Sequence, residues 1–178
     1  MTDPPAPWPA APRLAPEVPL PARPFVPGRD PHPRCDPRGT LYGAPGHAPG
    51  LDAARWREDR SYRTGIDFYH AGYLWEAHEA FEACYHATRD AAHRDLLQGL
   101  IQLAAALLQA HRGIGAGVRT LARAAHARLA AAGAARERVA GLDPRALADA
   151  VARHFAGALG DGDPLVLTGA APRLEPVG

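Results

Sequence analysis

Apolar residues recur at helical spacing through the middle of the chain, and they do so in five separate runs. The first run, from about Ala54 to Ala71, sets Trp56, Tyr62, Ile66 and Tyr69 toward one face, and Gly72 offers a stop. The second spans about Tyr73 to Thr88, with Leu74, Ala77, Phe81, Cys84, Tyr85 and Thr88 as its inward stripe. The third spans about Ala92 to Arg112. Its apolar positions, from Leu96 to Leu108, cover well over half the circumference, which predicts a central helix with several neighbours. The fourth spans about Ala116 to Ala132 with Val118, Leu121, Ala122, Ala125 and Leu129 inward, and Gly133 marks its end. The fifth starts where Asp143 can cap free amides and Pro144 takes the first helical position, and Leu147, Val151 and Phe155 follow at spacing four. No run alternates with period two. The pattern predicts an all-α chain, a small bundle of about five helices.

The two ends read differently. All but four prolines, Pro144, Pro164, Pro172 and Pro176, lie in the first fifty positions, so the folded part is expected to begin after about residue 50. Residues 1–20 are low-complexity Pro/Ala, expected to be disordered or loosely extended. Residues 21–50 keep punctuating Pro and Gly but add Phe25, Val26, Leu41 and Tyr42, which can pin an extended arm to the domain surface. The bundle then occupies 51–160. Residues 161–178 form a C-terminal tail, whose short apolar run Leu165 to Leu167 is expected to pack.

Charge narrows the function classes. The net charge is +1 and all 20 basic residues are arginine. Arg55, Arg57, Arg60 and Arg63 are interleaved with Glu58 and Asp59, so no clean basic stripe forms and nucleic acid is not an expected partner. The most apolar stretch, Leu96 to Ala110, is short and interrupted by Gln98, Gln102 and Gln109, so no membrane span is expected. The opening residues lack the apolar core of a secretory signal, and a cytoplasmic protein is the expectation. The two cysteines, Cys35 and Cys84, share no metal-ligand spacing, and Cys84 falls among apolar positions as an inert thiol.

The second helix carries the one polar constellation with chemistry in it. On a wheel of about 100° per residue with His78 at zero, Glu82 falls near +40°, Tyr85 near −20° and Trp75 near +60°. A histidine and a carboxylate one turn apart can reach the same ion, and that pair suits a divalent transition metal. A catalytic metal wants a third protein ligand. His111, on the third helix, and His32 or Cys35, in the arm, are the candidates, while Glu76 and Glu79 are expected to face solvent. Trp75 and Tyr85 would wall the pocket. The segment His78 to Glu82 reads HExxE, so it lacks the second histidine of the zincin motif, and there is no Glu-x-x-His pair.

Three functional readings stay open on these residues. One is a metal- or small-ligand-binding domain, with or without catalysis, over which the arm would dock through His32. A second is an interaction module, in which an exposed aromatic strip of Trp75 and Tyr85, with Phe81 nearby, takes a protein partner or a second copy of the chain. The third is packing alone, with Glu82 orienting His78 at the edge of a core. The Gly-rich turn at Gly113 to Gly117 lacks a preceding strand and a Lys-Ser/Thr ending, so it reads as a helix connection.

The run GIDFYHAGYLWEAHEAFEACYHA, followed by LLQGLIQLAAALLQAHRGIGAGVRTLARAA, resembles a bacterial and archaeal family known as domain of unknown function 309. Its pattern H-x-x-x-E-x-x-[W/Y] falls on His78, Glu82 and Tyr85, and a QGLIQ-like helix falls on Gln98 to Gln102. The likeness covers about residues 62–130, and PFVPGRDPHPR in the arm is similar to an extension of longer members. The resemblance implies a small helical bundle and a His-Glu-aromatic motif suspected of metal binding; it supplies no reaction. Two positions depart from the pattern. Tyr85 stands where many members carry Trp, and Gly113-Ile114 stands where many carry Gly-Asn.

Overall fold

The computed structural model describes residues 2–10 and 12–177. Among them lie six α-helices and no strand: α1 (Arg60–His70), α2 (Leu74–Ala87), α3 (Ala91–His111), α4 (Gly115–Ala135), α5 (Pro144–His154) and α6 (Ala156–Leu159). The all-α bundle is as expected, with five long helices and one short sixth. α3 is the axis. It packs on α2 along one side and α4 along the other, while α1 backs α2, and α5 and α6 back α4. Leu96, Leu97, Leu100, Leu103 and Ala104 are fully buried or nearly so, as the wide apolar band of α3 requires.

Sequence signals placed most helix ends. Gly72 and Gly113 both take positive φ (83° and 72°) after α1 and α3, where a side chain would be strained. Asp90 caps α3 by accepting from the His93 amide at 2.8 Å, and Asp143 caps α5 by accepting from Ala146 at 3.0 Å. Two ends differ from the pattern. α1 begins at Arg60, because the Asp59 side chain caps the Tyr62 amide at 3.0 Å and leaves Trp56 outside, beyond a single 3-10 turn at Ala53–Arg55. Trp56 still reaches the core edge, its ring T-shaped to Tyr62 at 6.3 Å. Gly133 does not end α4. It lies inside the helix where a Cβ would meet the Arg145 backbone nitrogen at 3.0 Å, so its bareness permits the close approach of α5.

The segments around the bundle are tied to buried polar groups of α1 and α2. The Asp67 carboxylate accepts from the Leu14 and Ala15 amides at 2.7 and 2.9 Å and pairs with Arg13 at 3.4 Å. Glu76 accepts from the Phe25 amide at 3.0 Å, and the Tyr73 hydroxyl donates to the Pro21 carbonyl at 2.8 Å. Asp59 accepts from Leu51, and Ser61 donates to the Ala48 carbonyl. From the other end, Tyr69 donates to the Pro172 carbonyl and the Leu174 amide donates to His70 Nε2. α1 is therefore buried on nearly every side despite its polar composition. The run Leu165–Leu167, expected to pack, is instead exposed, and further along the C-terminal segment Pro172 and Leu174 are buried.

Candidate functional site

α2 brings His78 and Glu82 together as their spacing requires. His78 Nε2 lies 3.6 Å from Glu82 Oε1, and both side chains are partly open to solvent, at 29% and 44% exposure. Glu79 does not point away, as the wheel suggested, but joins them. One ligand atom from each of His78, Glu79 and Glu82 lies within 4.8 Å of the others. The third member thus comes from the HExxE segment itself. Glu79 and Glu82 are three residues apart and so neighbours on the helix surface, and the strip drawn from His78 alone was too narrow.

The arrangement can hold a small divalent ion. An ion bound by imidazole nitrogen and carboxylate oxygen at about 2.0–2.2 Å needs ligand atoms roughly 3–3.6 Å apart. The His78–Glu82 separation of 3.6 Å already meets that. An ion held by three side chains of one helix would keep its solvent side free.

The other sequence candidates lie elsewhere. His32 is not a third ligand in this geometry: its ring stands edge-on to Trp75 at 5.5 Å, and its Nδ1 accepts from the Arg34 and Cys35 amides at 3.3 Å. His111, at the end of α3, donates from Nε2 to the Thr2 carbonyl at 3.0 Å. Neither joins the three-residue cluster. Trp75 also meets Phe25, T-shaped at 5.1 Å, so the arm lies over the start of α2. Tyr85 turns toward α3, where its hydroxyl accepts from Arg94 at 2.7 Å and its ring lies 4.1 Å under the Arg94 guanidinium. Phe81 is fully buried, against Tyr62 at 6.2 Å, and presents nothing to a partner.

Glu76 also differs from the sequence expectation. It is 1% exposed, not solvent-facing. Burial raises its carboxyl to about 7, partly offset by the amides that donate to it, and one carboxylate oxygen has no hydrogen-bond partner among the described residues. The wheel puts Glu76 opposite His78. The Phe25 segment, whose amide donates to Glu76, docks on that side, so the signal lay in the apolar residues of the arm. Cys84 is buried as expected, and burial beside Asp59 pushes its thiol far up.

Residues 62–121, from α1 into the first part of α4, match the model of the family described as a domain of unknown function (DUF309). The likeness seen in the sequence therefore holds over that span. No curated protein and no solved structure matches the chain.

Proposed function

We propose that the DUF309 segment of this chain is a divalent-metal-binding helical domain, with His78, Glu79 and Glu82 of α2 as the protein ligands. One observation carries the reading: three ligand atoms of the types a zinc-, iron- or manganese-class ion accepts converge within 4.8 Å on a solvent-reached strip. The ion would be held by an imidazole and two carboxylates, with its open positions toward solvent. There it can polarise a bound oxygen or lower the pKa of a bound water. Trp75 and Tyr85 stand on the flanks of the strip, each fixed by its own partner, and would border an incoming ligand rather than move to enclose it.

The interaction reading, a protein partner or homodimer on the aromatic face of α2, has less behind it. Phe81 is inside the core and Trp75 is half-buried beneath Phe25 and His32, so the chain itself occupies much of that face.

The test is titration of chelator-treated full-length protein with zinc and with cobalt, whose visible spectrum reports nitrogen and oxygen ligation. One equivalent is expected to bind. His78→Ala and Glu82→Gln should each lose at least tenfold in affinity, since each removes one of only three ligands, and Glu79→Gln should do the same. His32→Ala and His111→Ala should not. Binding unchanged in a folded His78→Ala protein sinks the proposal.

A further inference from the structure

Positive charge is scarce in the chain as a whole, whose net charge is +1, yet it is concentrated at one place. Where the end of α2 meets the start of α3 and the side of α4, Arg89, Arg94 and Arg128 line a half-open hollow of about 200 Å³ with a single carboxylate, Asp95. Tyr85, Ala91 and Gln98 complete the wall. Roughly 150 Å³ suffices for a benzene-sized guest, so the hollow has space for a phosphate group.

The wall itself fixes two of the guanidinium groups. Arg94 donates to the Tyr85 hydroxyl at 2.7 Å and to the Tyr85 and Thr88 carbonyls at 3.4 and 3.2 Å, and Arg128 donates to Asp95 at 2.8 Å. The three acceptors of Arg94 are uncharged oxygens, so its positive charge is not cancelled. Arg128 and Asp95 form a pair open to solvent, at 54% and 26% exposure, and such pairs are weak enough to share their donors. Arg89 is exposed and has no partner among the described residues. The Tyr85 oxygen is engaged as an acceptor, which leaves its own proton to donate, and the Gln98 amide has no partner among the described residues. Ala91 is the first residue of α3, so the positive end of that helix dipole adds to the wall. Asp90, which caps the helix, is paired with Arg136 at 2.6 Å and is not part of the wall.

We propose that this hollow binds a phosphate dianion, either free or as the terminal group of an organic phosphate. Two uncancelled guanidinium charges match its two negative charges, and planar guanidinium groups bond phosphate oxygens in pairs. Tyr85 and Gln98 donate to the oxygens that remain. A carboxylate brings one charge and two oxygens, and leaves part of this donor set unmatched. A neutral guest would strip water from the arginines with nothing in return. Tyr85 follows Glu82 by three residues, so the α2 side of the hollow begins one turn from the His78 cluster. The phosphate site rests on its own residues and needs no ion at that cluster.

The experiment titrates full-length protein by calorimetry at pH 7.5, where phosphate is mostly a dianion, in low salt and with a chelator present so that no metal contributes. The probes are inorganic phosphate, phenyl phosphate and benzoate. Saturable binding of phosphate is expected at millimolar concentration or below, with benzoate at least tenfold weaker than phenyl phosphate. Phenyl phosphate binding as tightly as inorganic phosphate assigns the hollow to the end of an ester, and binding of inorganic phosphate alone assigns it to the free ion; both support the proposal. Arg89→Gln, which removes a side chain that holds nothing else in place, should weaken phosphate about tenfold. Asp95→Asn removes the one opposing charge and should tighten binding several-fold, a gain that a damaged fold cannot imitate. Arg60→Gln, at an exposed and unpartnered arginine of α1 outside the hollow, should change nothing. No saturable phosphate binding at millimolar concentration overturns the proposal. So does benzoate binding as tightly as phenyl phosphate, an unchanged affinity in Arg89→Gln, an Asp95→Asn protein that binds no tighter, or an equal loss in Arg60→Gln.

Discussion

His70 gives the most quantitative handle on how the terminal segments hold to the bundle. It ends α1, is buried, and accepts the Leu174 amide at Nε2 over 3.2 Å, while its own carbonyl accepts from the Trp8 amide at 2.9 Å. Only the neutral ring can accept at Nε2. Burial, with the nearby Arg173 charge, lowers its pKa to about 4 from the ordinary 6.5. The sign follows. Between these values the unfolded chain binds the proton and the folded chain does not, so stability rises with pH. The contribution is complete above 6.5, shrinks as pH falls below it, and is gone below about 4. At pH 5 the loss for this one group is RT ln[(1+10^1.5)/(1+10^−1)], or about 2 kcal/mol relative to pH 7.5. His47, His93 and His154 are lowered as well and add to the wild-type slope. The assay must therefore be differential. Urea unfolding of wild type and His70→Gln is measured at pH 7.5 and pH 5; glutamine can still accept the Leu174 amide but does not titrate. The wild type should lose about 2 kcal/mol more than the variant, a midpoint difference on the order of 1 M urea. Parallel pH dependences would refute the assignment of a buried, neutral, hydrogen-bonded His70.

Other expectations follow from single contacts. Gly65→Ala places a methyl 2.7 Å from Phe81 Cε1 at the α1–α2 crossing, and overpacking of a fixed aromatic ring should cost about 1–3 kcal/mol, read as a lowered midpoint in thermal unfolding. Asp67→Ala strips the acceptor from the Leu14 and Ala15 amides, which should cost about 1–3 kcal/mol and make the chain near residue 14 more sensitive to protease. Of the two free cysteines, exposed Cys35 should react with an aromatic disulfide reagent at pH 8 in the native protein, and Cys84 only on unfolding; two equally fast thiols would contradict its burial.

Periodicity carried the bundle because each long helix buries a stripe that repeats at 3.6 residues, and because stops such as Gly72 and Gly113 have only one comfortable conformation. It failed at Trp56, where an aromatic at helical spacing packs on the core from outside the helix, since Asp59 caps the Tyr62 amide and starts α1 later. The pairing of His78 with Glu82 was legible because one helical turn fixes it. Glu79 was legible in principle, as the i,i+3 neighbour of Glu82, but not from a strip centred on His78. Glu76 and His154 were not legible at all. Glu76 accepts from the amide of Phe25, fifty-one residues before it, and the His154 ring is bonded to the Thr168 carbonyl of the C-terminal segment. Nothing local in either helix encodes that.

Commitment to a main-chain partner separates the polar residues that hold the fold from those free to act. Asp59, Asp67, Glu76 and His70 are buried, and each is committed to a main-chain amide from a segment outside the bundle. Replacing one leaves an amide without its partner, so strong phenotypes at these positions would report stability and would mimic an active site in a mutational scan. His78, Glu79 and Glu82 have the opposite character. They are half-open, they hold no main-chain group in place among the described residues, and His78 pairs with Glu82 at 3.6 Å. Substitutions there should leave the unfolding midpoint nearly unmoved. A loss of metal affinity without a loss of stability is therefore the signature that would distinguish a ligand from a fastener, and measuring both quantities on Glu79→Gln and Asp67→Asn side by side draws that line within one fold.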